Sequence, residues 1–91
     1  MGRLKSYAFI FKGEGFVGEK TFLSSGEFDA IIVGVSQIED ACEVARDLLD
    51  LGVELIDLCG AFGHKGAKMV SDAIDGSIRI DYVNGEIPKR N

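Results

Sequence analysis

The sequence predicts a small single α/β domain over residues 1–91, with a mainly parallel four-stranded sheet and two helices. Two observations predict this class: apolar strand-like runs alternate with helical periodicity, and the connections between them are short. A strand, helix, strand, helix, strand succession requires right-handed crossovers and therefore a parallel core. The predicted order, ββαβαβ, fits half of a doubly wound sheet or an arc of a (β/α) barrel, and four strands cannot close a barrel alone.

The first two predicted strands are residues 7–11 (YAFIF) and 30–35 (AIIVGV). The aromatic and β-branched run of the first is typical of a strand buried on both faces. In the second, Gly34 indicates a close backbone approach near the end of the strand. The polar connection between them contains Thr21–Leu23, which could form a short edge strand or a helical turn, and neither is preferred.

The first helix is the best-specified element. Ser36 and Glu39 have the spacing of a capping box, in which each side chain satisfies the other's backbone amide. Apolar residues then recur at helical spacing as far as Leu49, with acidic residues on the opposite face. Gly52 suits the left-handed position that ends a helix.

In the second half of the chain, the sequence predicts a strand at residues 53–59, a helix at about 64–75 and a last strand at 78–83. The last strand alternates apolar and polar residues, so we expect an edge strand with one face toward water or a partner. Asn84-Gly85 is a strong hairpin signal. Few residues follow it, so a returning strand would be very short or would pair with another subunit.

Composition and charge exclude several classes of function. Fifteen acidic residues against ten basic ones give a net charge of −5, which disfavours nucleic-acid binding. No apolar run approaches a membrane span. The two cysteines lack metal-ligand spacing and lie in apolar segments, so we predict neither a metal site nor disulfides, and a reducing, cytoplasmic location. Because so short a chain has a marginal core, we expect a homo-oligomer.

The segment CGAFGHKG, residues 59–66, is the predicted binding site. It leaves a parallel strand and enters a helix, where ligands of parallel sheets bind. Its glycines permit a tight turn and close approach to a ligand, and the first amides of the helix suit phosphate or carboxylate. The alternative is a turn that the glycines merely shape. The segment is not a Walker loop, and no cofactor is predicted. The predicted anion-binding residues are Gly60, Ala61, Gly63, His64, Lys65 and Gly66.

Two further functions compete with anion binding. In the first, the chain is a small barrel-type enzyme in which Cys59 or Asp57 acts as nucleophile or base and His64 assists as a possible base. Asp57 is equally explained by an ion pair with Arg79 or Lys68. In the second, the chain is a structural or regulatory oligomerisation domain that pairs through its last strand.

Residues 13–18 match the dinucleotide-binding pattern G-x-G-x-x-G, but the context is wrong, because no amphipathic helix follows. We interpret this segment as a flexible loop that could cover the site. Phe16 and Phe22 would then either contact a ligand or fasten the loop to the core.

The motif I-x-L-C-G-[GA]-F-G, residues 56–63 here, resembles a segment of an uncharacterised family of short prokaryotic α/β proteins. The strands at residues 7–11 and 32–35 extend the resemblance over most of the chain. The family has no assigned activity, so the resemblance implies a fold and no function. Its other members often carry glycine at the position of Ala61, and Pro or an acid near His64. The resemblance therefore implies that the basic pair of residues 64 and 65 is particular to this chain.

Overall fold

Six strands form one mixed sheet in the computed structural model, which describes residues 3–90. The spatial order is β2-β3-β1-β4-β5-β6, with the four central strands parallel and both edge strands antiparallel to their neighbours. In chain order the elements are β1 (Ser6–Lys12), β2 (Val17–Ser24), β3 (Asp29–Val35), α1 (Ile38–Asp50), β4 (Leu55–Leu58), α2 (Gly63–Ala73), β5 (Arg79–Tyr82) and β6 (Gly85–Ile87).

The α/β class, the two helices and the parallel centre of the sheet are confirmed. The four predicted strands are β1, β3, β4 and β5, and they run parallel to one another. The prediction of only four strands in the order ββαβαβ is wrong, because β2 and β6 add an antiparallel strand at each edge. The last predicted strand is consequently not an edge. Its returning partner, β6, is only three residues long and begins at Gly85, so the turn residues are Val83 and Asn84, one position before the predicted pair.

Both helices cover the same face of the sheet. Ala8 and Ile10 of β1 are fully buried, and so are the residues beside them in register, such as Val33 and Leu58. Buried residues of α1 and α2 belong to the same cluster. The alternate residues of β1, including Phe9, are only half-buried. The expectation that β1 is buried on both faces is therefore wrong, since one helix layer covers one side alone.

The start of α1 differs from the sequence prediction. Its N-cap is Gln37, and no side chain caps the first turn, so the capping box between Ser36 and Glu39 does not form. The end of the helix is as predicted, because Gly52 has a φ of +80°. Within residues 3–90, no helix has the length and apolar composition needed to cross a membrane.

The segment predicted as a flexible loop is a tight turn into β2. The amide of Gly13 donates to the carbonyl of Val35 over 2.8 Å. The ring of Phe16 then lies over Gly34, where a Cβ atom would come within 2.7 Å of the ring. The prediction of a backbone approach at Gly34 is therefore wrong, because the space beside this glycine is filled by aromatic side chains. Phe16 fastens the turn to the sheet.

Candidate functional site

The two helices begin side by side at the carboxyl edge of the parallel strands. A Cβ atom on Gly66, in the first turn of α2, would lie 3.4 Å from Cδ1 of Ile38, the first residue of α1. Further along both helices, Cys42 Sγ lies 3.6 Å from the carbonyl oxygen of Met69. The close packing at Gly66 therefore brings the positive ends of two helix dipoles together at one edge of the sheet.

The first backbone amides of α2 are available to bind a ligand. Phe62 is the N-cap and supplies no side-chain cap. Within residues 3–90, the amides of Gly63, His64 and Lys65 donate to no acceptor, and all three residues are exposed. The amide of Gly66 donates to the carbonyl of Phe62 over 3.1 Å. Of the predicted anion-binding residues, Gly66 therefore shapes the helix contact and has no free amide.

Gly60 and Ala61 form the exposed middle of a turn between β4 and α2, closed by the bond from the Phe62 amide to the Cys59 carbonyl at 3.1 Å. A Cβ atom on Gly60 would lie 3.3 Å from the side chain of Val83. The glycine at this position thus allows the turn to pass close to the segment after β5. The short turn keeps the start of α2 near the end of β4 and so fixes the position of its amides.

Lys12, at the end of β1, lies between the two helix starts. β1 is flanked by β3, which leads into α1, and by β4, which leads into α2. The chain continues from β1 toward β3 on one side and from β4 toward β5 on the other. Ligands of parallel sheets bind where such connections diverge. The end of β1 is in direct contact with the turn after β4, because the Lys12 amide donates to Cys59 Sγ over 3.3 Å.

An open cavity of about 460 Å³ lies beside Lys12, at the carboxyl ends of β1 and β3 and the start of α1. From sequence, residues 13–18 were interpreted only as a loop that could cover the site, and Lys12, Ser36 and Gln37 were not predicted to belong to it. The sequence signal for this cavity is a lysine followed by glycine at the end of the first strand. The residues that line the cavity are Lys12, Gly13, Glu14, Gly15, Ser36 and Gln37.

The predicted pair of Cys59 and His64 is not assembled. His64 Nδ1 makes a hydrogen bond of 2.5 Å with the hydroxyl of Tyr82 on β5. In the described part of the chain, no hydrogen bond joins His64 to Cys59, whose half-buried side chain packs against the core. A thiol without a neighbouring base is a weak candidate for a catalytic nucleophile.

Asp57 lies on the face of the sheet opposite the helices, because the adjacent Leu58 points into the helix-covered core. It accepts a hydrogen bond of 3.0 Å from the hydroxyl of Tyr7. The predicted ion pairs with Arg79 and Lys68 do not form. Arg79 pairs with Asp81 and Lys68 with Asp72, both at 3.3 Å. Asp57 is therefore separated from the helix starts by the thickness of the sheet.

The hydroxyl of Tyr7 is held in its neutral form. Burial raises its pKa to about 12, with the hydrogen bond to Asp57 and the negative charges of Asp57 and Asp81 acting in the same direction. Its ordinary pKa is near 10. Since the folded pKa is the higher one, Tyr7 contributes stability that is fully present below pH 10. That contribution is lost as the pH rises through 12.

We expect a comparison of wild type with Tyr7→Phe to isolate the titration of the Tyr7 hydroxyl. The difference in absorbance at alkaline pH between wild type and Tyr7→Phe should have its midpoint near pH 12. The stability advantage of wild type should shrink between pH 10 and 12, measured by urea unfolding across that range. A difference spectrum with its midpoint near 10 would show that Asp57 does not hold the Tyr7 proton.

The fold and the site define a two-layer α/β protein whose candidate ligand site lies at the carboxyl edge of a parallel sheet. A family model, described as a family of unknown function (DUF6506), matches residues 5–91. The chain belongs to this family. No curated protein and no solved structure matches it. Membership of this family therefore implies no particular activity.

Proposed function

We propose that this protein binds a small anionic ligand, with a phosphate or carboxylate group, where the starts of α1 and α2 meet β1. The observation that carries the proposal is the pair of adjacent helix N-termini without side-chain caps. Each such terminus has free amide hydrogens and a partial positive charge. An anion would supply the acceptors that residues 3–90 do not.

The start of α2 suits an anion better than the start of α1. The first turn of α1 contains Glu39 and Asp40, which already balance its dipole. The first turn of α2 has no acid and carries two exposed residues with basic side chains, His64 and Lys65. A basic residue at this end opposes the helix dipole, so an anion there would relieve an unfavourable arrangement.

Lys12 and the cavity beside it supply the other side of the site. Lys12 is half-buried at the end of a strand and adjoins the turn at Cys59 through its own amide. The cavity gives a ligand with one anionic group space for its remaining atoms, and Ser36 and Gln37 offer polar partners there. We therefore propose that the anionic group lies at the Gly63–Lys65 amides and that the remainder extends toward Lys12.

A titration of inorganic phosphate into the ¹⁵N-labelled protein tests the proposal. We expect saturable shifts of the backbone resonances of Gly63, His64 and Lys65. The variants Lys12→Ala and Lys65→Ala should each weaken binding about threefold to tenfold, the effect of one charged hydrogen bond at an exposed site.

Lys68→Ala is the matched control, because Lys68 lies on α2 but is paired with Asp72. Its affinity for phosphate should equal that of wild type. The proposal is wrong if the shifts never saturate, or if Lys68→Ala weakens binding as much as Lys65→Ala does. Equal losses would indicate attraction by overall charge, without a site.

A further inference from the structure

One face of the sheet carries no helix within residues 3–90, and the ring of Phe16 lies over only one part of it, against Gly34 and Phe11. At its centre lie the half-buried side chains of Tyr7, Phe9 and Phe11, with Ile32 beside them on β3 and Leu55 on β4. The rings of Phe9 and Phe11 stack with centroids 6.4 Å apart. We call this surface the open face. Parallel strands almost always have both faces covered, so an apolar open face on four parallel strands indicates a missing layer.

We propose that a second copy of this chain covers the open face, with the two sheets packed face to face in a twofold dimer. Six strands about 4.8 Å apart and about five residues long give a footprint of roughly 500 Å². The accessible surface of the side chains on it is larger than the footprint. A stable interface buries about 800 Å² of accessible surface on each partner, and the accessible surface of the open face can approach that area. Sheets that pack face to face interdigitate their side chains across such apolar surfaces.

The charge distribution favours a second copy as the occupant. Two chains of net charge −5 repel each other unless their acidic surfaces are kept apart. The open face has four carboxylates. The two nearer its centre have partners, because Asp57 accepts from Tyr7 and Asp81 pairs with Arg79. The other two, Glu19 and Glu86, are exposed on the edge strands β2 and β6, outside the aromatic centre of the face. The acidic residues of the helices, on the other side of the sheet, are Glu39, Asp40, Glu43, Asp47, Asp50 and Asp72.

A dimer through the open face therefore places both acidic helix layers outward, at the greatest distance from each other. It also places the stacked aromatic side chains of β1, the least polar part of the face, near the middle of the interface. Aromatic residues at the centre of an interface carry most of its binding energy. The twofold relation requires only that the same patch be self-complementary, the commonest arrangement among soluble oligomers.

Sedimentation velocity of the full chain over the micromolar range tests the inference. Wild type should sediment with twice the mass of the 9.8 kDa chain. Phe9→Lys puts a charge at the centre of the open face and should weaken the dimer by at least about 100-fold. Met69→Lys adds the same charge on α2, where the side chain is 39% exposed, and should leave the dimer unchanged.

Leu23→Lys keeps the test decisive if Phe9→Lys fails to fold. Leu23 is 61% exposed and lies on β2 at the margin of the open face, so the fold should tolerate the change, as circular dichroism can verify. The dimer should weaken about tenfold. Wild type that stays monomeric throughout overturns the inference, as would a dimer that folded Leu23→Lys leaves unaltered. Neither result affects the anion site, which lies at the edge of the sheet beside the helix starts.

Discussion

Ile10→Ala should lower the free energy of unfolding by about 3 to 4 kcal/mol, a large fraction of the stability of so small a chain. Ile10 is fully buried on β1, the strand between β3 and β4. Its neighbours in register, Val33 and Leu58, are buried as well. A smaller side chain there leaves a cavity under the helices that the surrounding sheet cannot fill. Urea unfolding at one fixed protein concentration measures the loss, since dimerisation would make stability depend on concentration.

Met69→Ala is the control for this prediction. Met69 is 39% exposed on α2, and alanine is a good helix former, so the change should stay within about 0.5 kcal/mol. A loss below about 1 kcal/mol for Ile10→Ala would contradict the assignment of the even-numbered residues of β1 to the helix-covered core.

Periodicity explains which elements could be predicted from sequence. α1 has apolar residues at helical spacing, a mostly acidic opposite face and Gly52 at its end, and its bounds were close to those observed. The four central strands are short runs of β-branched and apolar residues, which distinguished them from the polar connections. Their parallel arrangement followed from the alternation with helices, because a crossover returns the chain in the same direction.

The edge strands were left undecided by the sequence, at Thr21–Leu23 and after the hairpin signal, because few of their residues are buried. β2 has mostly exposed residues, including Phe22 and Leu23 at 61% each, and its sequence contains no alternation of apolar and polar residues. A strand that gains its stability from main-chain pairing with one neighbour leaves little trace in its side chains. Composition was misleading in the same way for β1, where aromatic residues suggested burial on both faces. Sequence periodicity cannot say how many layers cover a sheet.

Only some residues of the candidate site could be named from sequence, for a related reason. The loop after β4 was identified because its glycines and the helix after it are consecutive in sequence. Lys12 and Ser36 were missed because they join the site only through the strand order, with β1 between β3 and β4. The proposed pairing of His64 with Cys59 rested on proximity in sequence. In the fold, the side chain of His64 contacts Tyr82 on β5.

Substitutions at Gly66 test whether this glycine serves helix packing or ligand binding. A Cβ atom at Gly66 would lie 3.3 Å from Cβ of Phe62 and 3.4 Å from Ile38. Gly66→Val should therefore push the two helix starts apart and lower the free energy of unfolding by about 2 to 3 kcal/mol. Gly66→Ala should be close to neutral, because the gain in helix propensity, about 1 kcal/mol, offsets the tight contact.

Gly63→Ala is the matched comparison within the same turn. Gly63 has a φ of +63° with no atom near a built Cβ, so alanine there should cost about 1 kcal/mol through backbone strain alone. Urea unfolding measures the free energy of unfolding of Gly66→Val, Gly66→Ala and Gly63→Ala, and phosphate titration measures their affinities for phosphate. Since the amide of Gly66 is bound to Phe62, Gly66→Ala should keep the affinity of wild type. A stable Gly66→Ala that binds phosphate much more weakly would show that this glycine faces the ligand, and that the helix starts are not held together as described.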